Sequence, residues 1–206
     1  MKIYLILFSM LFLSLYSSIS LAEFLPTSFS SKFEQEYVST LKGKIKKGEG
    51  SIDYKYPGQI RLETSLPSAV IFTSNGTRAW YYRAPFIEGE EGEVTESSAQ
   101  DGSTAFIKFF DSLKQGLISN SIYDVKSGDP TVITFKPKAQ KEFGINKSSI
   151  YFKSKSGKNF SDIEAIELTL ADGKKSKLKF LELKSDIKFS ANHFIFSPPT
   201  NTKKVN

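Results

Sequence analysis

Ile52-Asp53-Tyr54-Lys55-Tyr56-Pro57-Gly58-Gln59-Ile60-Arg61-Leu62-Glu63-Thr64 holds two runs of apolar–polar alternation on either side of a proline–glycine pair. A period of two puts Ile52 and Tyr54 on one face of a strand, and Ile60 and Leu62 on one face of the next. The proline–glycine pair between them is turn chemistry, so the stretch reads as a β-hairpin. The same alternation returns at Ile133-Thr134-Phe135-Lys136, Ile150-Tyr151-Phe152-Lys153, Ile166-Glu167-Leu168-Thr169-Leu170, Leu178-Lys179-Phe180 and Phe194-Ile195-Phe196. Asn75-Gly76, Gly128-Asp129-Pro130, Ser156-Gly157 and Asp172-Gly173 mark turns between such runs. Asn75-Gly76 and Asp172-Gly173 are dipeptides preferred by the type I′ hairpin turn, whose two central residues both need positive φ. Neighbouring strands are therefore joined by hairpins, and the sheet is antiparallel. About ten strands with few helices can close as a barrel, stack as a sandwich, or stay a curved sheet with helices over its open face. Alternation does not choose among these, because core-facing and cavity-facing residues obey one period.

Two segments read as helix. From Ser103 to Gly116, the residues Phe106, Phe109, Phe110, Leu113 and Leu117 recur at i, i+3, i+4, i+7 and i+11, one apolar stripe with Gly116 near its end. That stripe has too little sequence around it for a helical core of its own, so it is expected to pack on the sheet. A short helix is also expected over Thr27 to Phe33, where Phe29 and Phe33 stand four apart behind Pro26.

The leading segment stands outside this pattern. Lys2 is followed by an apolar stretch from Ile3 to Tyr16, and Ser20-Leu21-Ala22 places small residues where a signal peptidase reads them. The run is shorter than the ~20 apolar residues of a membrane span. The expected organisation is a signal peptide over residues 1–22, cleaved after Ala22, and one domain over residues 23–206. Removing Met1 to Ala22 takes away one lysine and no acid, lowering the formal charge from +6 to +5. The lysines (Lys42, Lys44, Lys46, Lys47, Lys138, Lys141, Lys174, Lys175, Lys177 and Lys179 among them) are scattered, many at the polar positions of strands, which reads as a solvated face. Nothing matches a nucleic-acid-binding motif.

Composition narrows the chemistry. The chain has no cysteine, which removes disulfides, cysteine-based metal sites and thiol nucleophiles. Its single histidine, His193, has no Gly-x-Ser-x-Gly serine to serve and reads as structural. Glu88, Glu90, Glu91, Glu93 and Glu96 lack the loop spacing of a calcium site and read as a solvated strand or loop. Gly48-Glu49-Gly50 does not match a phosphate-cradling loop. The sequons at Asn75, Asn146 and Asn159 matter only in a host that glycosylates exported proteins. No catalytic residue, metal ligand or cofactor site is expected. With 18 Phe, 9 Tyr and 1 Trp, the chain reads as a binding protein instead of an enzyme.

One ordered set of motifs is more specific. Ser28-Phe29-Ser30-Ser31-Lys32-Phe33-Glu34-Gln35 is followed by Gly48-Glu49-Gly50-Ser51-Ile52 and Pro57-Gly58-Gln59-Ile60-Arg61-Leu62. Ser74-Asn75-Gly76-Thr77-Arg78-Ala79-Trp80-Tyr81-Tyr82 and Pro85-Phe86 come next, then Phe135-Lys136-Pro137-Lys138 and, last, Phe194-Ile195-Phe196-Ser197-Pro198-Pro199. This order resembles the periplasmic outer-membrane lipoprotein carrier family, LolA, over essentially the whole chain after the leader. The resemblance implies a mainly β, half-open antiparallel β-barrel whose short helices cap an apolar cavity. It implies a monomeric periplasmic carrier that takes lipoproteins from an inner-membrane lipoprotein-releasing ABC transporter and passes them to an outer-membrane receptor. The acyl chains would lie in a cavity lined by Ile52, Tyr54, Ile60, Leu62, Val70, Phe72, Trp80 and Tyr82, extended by Ile133, Phe135, Leu168, Phe180, Phe194 and Phe196. Phe106, Phe109, Phe110, Leu113 and Leu117 would form the lid. The sequence departs from the family in a shorter first helical region, and in carrying Lys55-Tyr56 where the family often has the arginine that gates the lid. The rival readings are an envelope sensor or scaffold that binds a polypeptide on the same sheet, and a secreted β-rich hydrolase.

Carriage of acyl chains makes few chemical demands, and the composition meets them: apolar lining, without nucleophile or metal. Three chains of ~16 carbons sheltered at ~0.8 kcal/mol per CH₂ would gain ~35–40 kcal/mol over water. That exceeds any practical non-covalent affinity. A carrier therefore competes with a bilayer, not with water, and must bind only about as well as one.

Overall fold

A computed structural model describes residues 23–38, 45–66, 68–102, 105–154 and 158–205. The leader over 1–22 and the turn at Ser156-Gly157 lie outside the described residues. The elements run β1 (Ser28–Val38), β2 (Ile45–Lys55), β3 (Gln59–Leu66), β4 (Val70–Asn75), β5 (Arg78–Arg83) and β6 (Gly92–Ser98), then helices α1 (Ala99–Gly102) and α2 (Ala105–Ser112). A 3₁₀ turn over Leu113–Gln115 extends α2. Next come β7 (Tyr123–Lys126), β8 (Thr131–Phe135), α3 (Pro137–Phe143), β9 (Ile145–Phe152), β10 (Ile163–Leu170), β11 (Lys175–Phe180), β12 (Lys184–Ser185) and β13 (Thr202–Lys204).

The strands form one open, curled sheet in the order β13-β6-β5-β4-β3-β2-β1-β11-β10-β9-β8-β7, with β12 beside β1. Every pairing is antiparallel except that of β13 with β6. The half-open antiparallel barrel that the family resemblance implies is the architecture found. Its inner face is set by register: Phe29 stands opposite Tyr54, Tyr54 opposite Ile60, and Phe33 opposite Phe180. Leu178, Ile166 and Ile150 continue that face through β11, β10 and β9.

Three local expectations are corrected. Thr27 to Phe33 is not a helix: β1 begins at Ser28. A spacing of four returns to the same face in a helix and in a strand alike, and β1 is held extended along its length by β2 and over Phe33–Tyr37 by β11. Phe194-Ile195-Phe196 is not a strand; it lies in a turn and coil, with the Ile195 N–H donating to the Asn192 carbonyl at 3.0 Å. The Asn-Gly and Asp-Gly hairpins form, but not as type I′ turns. Gly76 and Gly173 take φ of 86° and 81°, while neither Asn75 nor Asp172 has positive φ. Each instead uses its side chain as a cap: Asn75 Oδ1 accepts from the N–H of Thr77 and Arg78, and Asp172 Oδ1 from that of Lys174.

Candidate functional site

The inner face is where the apolar side chains converge. Ile52, Tyr54, Ile60, Phe72, Ile133, Phe135, Leu168 and Phe180 are all buried there in one cluster, and Leu62 packs against it half-buried. Helix α2 lies on that face. Its Phe109 and Phe110, with Leu113 in the following turn, have 0% exposure. The Phe110 ring is 4.9 Å from Phe29 and 5.4 Å from Tyr54, and Phe109 is 6.4 Å from Phe135. Phe106 and Leu117 pack against the same cluster, half-buried. All five residues of the sequence-derived stripe thus meet the sheet together. α3, opened by Pro137, leans in from beside β9, with Phe143 5.6 Å from Phe135 and the Lys108 ammonium donating to the Glu142 carbonyl at 2.7 Å. The hollow of the half-barrel is filled by helix side chains.

Polar contacts tie the helix down at its C-terminal end. The Tyr54 hydroxyl donates to Asp111 Oδ1 at 2.5 Å, and the Gly58 N–H donates to the same oxygen at 3.0 Å. The Tyr123 hydroxyl, from β7, approaches the carbonyls of Ser112 at 3.2 Å and Gly116 at 2.5 Å. Burial pushes the Tyr54 phenol well above the ordinary tyrosine range, and the hydrogen bond and negative charge of Asp111 add to it; burial likewise raises Tyr123. Both stay protonated donors at neutral pH. Lys114 pairs with Glu23 and sits 5.2 Å from the centre of the Tyr56 ring. Tyr56 therefore meets the 3₁₀ turn after α2 through its ring face, and Tyr54, which sequence reading assigned only to the lining, makes the hydroxyl contact with α2.

The other residues assigned to the lining lie outside that cluster. Val70 is on the inner face by register with Thr64, but half-buried and outside the cluster. Trp80 and Tyr82 are on the opposite, outer face: Phe72 stands across from Tyr81, and Thr73 across from Trp80. Four residues, Asn75–Arg78, separate the Ser74–Ala79 pair, so paired positions across this hairpin have opposite parity. The two-residue turn expected from Asn75-Gly76 implies the same flip, a signal present in the sequence. Trp80, Tyr82 and Val94 form a second cluster with Phe196, whose ring is 5.3 Å from Tyr82. Phe194 is buried next to Phe189 and His193, and His193 Nε2 lies 2.8 Å from Asp53 Oδ2 on the outer face. The C-terminal segment thus covers the outside of β2 to β6, and Phe194 and Phe196 are removed from the lining.

Of the acidic run, Glu93 pairs with Arg83, and Glu96 with Arg78 and Lys204. Among the described residues no cluster of His, Asp or Glu is arranged to hold a metal ion, and no helix is long and apolar enough to cross a membrane.

A crystal structure of a LolA superfamily protein from Nitrosomonas europaea superposes with a TM-score of 0.45 at 11% identity, over 84% of this chain and 92% of that one. An outer-membrane lipoprotein carrier protein of Vibrio vulnificus (strain YJ016) is 42% identical over 60 residues, 29% of this chain and 30% of that protein. Its counterpart from Actinobacillus pleuropneumoniae serotype 7 (strain AP76) is 29% identical over 117 residues, 56% of this chain and 51% of that protein. The matched stretches span about half of these curated relatives or less. The family model described as outer membrane lipoprotein carrier protein LolA matches residues 26–197, which takes in the strands from β1 to β12, the helices between them and most of the C-terminal segment, and the chain belongs to that family.

Proposed function

We propose that this chain is a periplasmic lipoprotein carrier that shelters acyl chains against the inner face of its half-barrel and takes them from the inner membrane to the outer membrane. The observation that carries this reading is the filling of the hollow: Phe109, Phe110 and Leu113 occupy it at 0% exposure, against a face made of Phe, Tyr, Ile and Leu. An acyl chain entering there replaces helix side chains with methylenes, apolar contact for apolar contact. The face meets hydrocarbon whether the helix is in or out, so the exchange changes little buried apolar area, as delivery requires. The leader over 1–22 supplies export. An inner-membrane releasing transporter is the donor and an outer-membrane receptor the acceptor.

The test is extraction of the protein purified from the cell envelope with organic solvent, followed by mass spectrometry of the extract. Bound acylated lipid or lipopeptide is expected. The Leu62→Glu variant should lose it while keeping its far-ultraviolet circular dichroism, because a carboxylate on this half-buried edge of the lining carries a desolvation penalty that acyl contact does not offset. A wild-type protein that yields no lipid on extraction and also takes up no added fatty acid overturns the proposal.

A further inference from the structure

Two buried tyrosines hold α2 from the sheet, and they hold it differently. Tyr123 reaches main-chain carbonyls only 11 and 7 residues away along the chain, and so fastens the helix to its own continuation. Tyr54 reaches a side chain 57 residues away, and the Gly58 N–H, from the turn of the same β2–β3 hairpin, binds the same oxygen. Asp111 also lines a cleft of about 370 Å³, together with Gly58, Ser74, Gly76 and Lys108. Water in that cleft can compete for the carboxylate without dismantling the aromatic core.

We propose that the Tyr54 hydroxyl, the Gly58 amide and the Asp111 carboxylate are the latch that keeps α2 over the inner face, and that cargo enters when it parts. The inference rests on the acyl-carrier reading above. The helix's remaining hold on the inner face is largely apolar, through Phe109, Phe110 and Leu113, and hydrocarbon can replace each of those contacts. No atom of an acyl tail can replace a charge-assisted hydrogen bond, which is roughly twice as strong as a neutral one. The bond is therefore the part of closure that cargo does not restore, and it favours the empty, closed protein after delivery. Tyr54 and Asp111 act as positioning residues, setting where the helix rests without needing to touch cargo while it is closed.

The test uses Tyr54→Phe, Asp111→Ala and the double variant. Three quantities are read: amide hydrogen exchange over Ala105–Ser112 without lipid, the rate of uptake of cis-parinaric acid, and the urea midpoint. Each single variant should speed exchange over α2 by roughly ten- to a hundredfold, as expected for loss of a hydrogen bond to a charged group, with uptake rising in step. The double variant should do little more than the larger single one, because both remove one shared bond. A bond that is merely structural would lower the urea midpoint with no preferential gain over α2, and that result overturns the latch, as do additive effects. If exchange over α2 rises as expected while no form takes up parinaric acid, the latch stands and acyl carriage fails. If wild type takes up the acid and neither variant changes exchange or uptake, carriage stands and the latch fails. Asp111→Ala removes no core aromatic, so it keeps the test open should Tyr54→Phe fail to fold.

Discussion

From β7 round to β2 the sheet buries its inner face under α2, and its outer face is a lattice of opposite charges. Lys179 there faces Glu34 at 3.6 Å, Lys175 faces Glu167 at 3.3 Å and Lys47 faces Glu36 at 4.0 Å. From β4 to β6 the burial becomes two-sided. The inner face still buries Phe72 and Ala79 but also carries half-buried Val70 and a Tyr81 that is 41% exposed, while the outer face buries Trp80, Tyr82 and Val94 beneath the C-terminal segment. The first flank is closed by a short helix, the second by a strap. The helix can leave without disturbing strand pairing. The strap ends as β13, hydrogen-bonded along β6, so lifting it uncovers a strand edge as well as a core. On the reading proposed above, the difference separates a cover that can move from one that is fixed.

The sharpest way to break that contrast is at Phe29. Its ring stacks on Tyr54 at 5.2 Å and lies 4.9 Å from both Phe110 and Phe160. Phe29→Ala should cost about 3–5 kcal/mol in urea unfolding. A loss below about 1 kcal/mol would mean that the inner face is not the main core. The strap is probed at Gly92, where a Cβ would stand 2.6 Å from the Tyr82 hydroxyl and 2.7 Å from its ring. Gly92→Ala should destabilise by about 1–3 kcal/mol through overpacking. Faster amide exchange should be confined to β5, β6 and β13, and equal loosening of α2 would erase the distinction between the two covers. The smallest effect is electrostatic. The Lys204 ammonium bonds Glu96 Oε2 at 3.1 Å and, with Arg78, holds that carboxyl below its ordinary value of 4.5. A carboxyl depressed on folding adds stability above its unfolded value, and that stability fades as pH falls through the folded one. Protection of the β13 amides, corrected for the intrinsic exchange rate at each pH, should therefore fall slightly between pH 6 and pH 3, and Lys204→Ala should flatten the fall.

How much of this was legible follows from the same contrast. Where one face is apolar and the other charged, as at Ile52–Thr64 or Ile166–Leu170, alternation alone identifies strand and buried face. The α2 stripe was legible because i, i+3, i+4 spacing over five aromatic and aliphatic positions fits no strand. Trp80-Tyr81-Tyr82 is apolar on both sides, so period two places its residues on faces without saying which face α2 covers. Only the parity of the hairpin loop carries that, and it separates Phe72 from Trp80. Phe194 and Phe196 alternate because a coil laid flat on a sheet also presents every second residue. Asp111 had no signal: between Phe110 and Ser112 it looks like any solvated acid on a short helix, and its partners lie on a hairpin that only the fold brings near.

The sheet is open, and each of its borders is guarded. At one border the parallel partner β13 lies against β6, carrying exposed Lys203 and Lys204. At the other, the chain before β7 folds back on it: Ser119 Oγ accepts from the Val125 N–H, and the Asn120 N–H donates to the Tyr123 carbonyl. Unpaired strand borders recruit strands from other chains, and lysines blunt that tendency. A carrier of the kind proposed, uncovering an apolar face among other exported polypeptides, would run that hazard at each cycle. On the proposed reading, opening of α2 presents apolar side chains while each border keeps its guard, so a strand from another chain finds little bare edge to pair with.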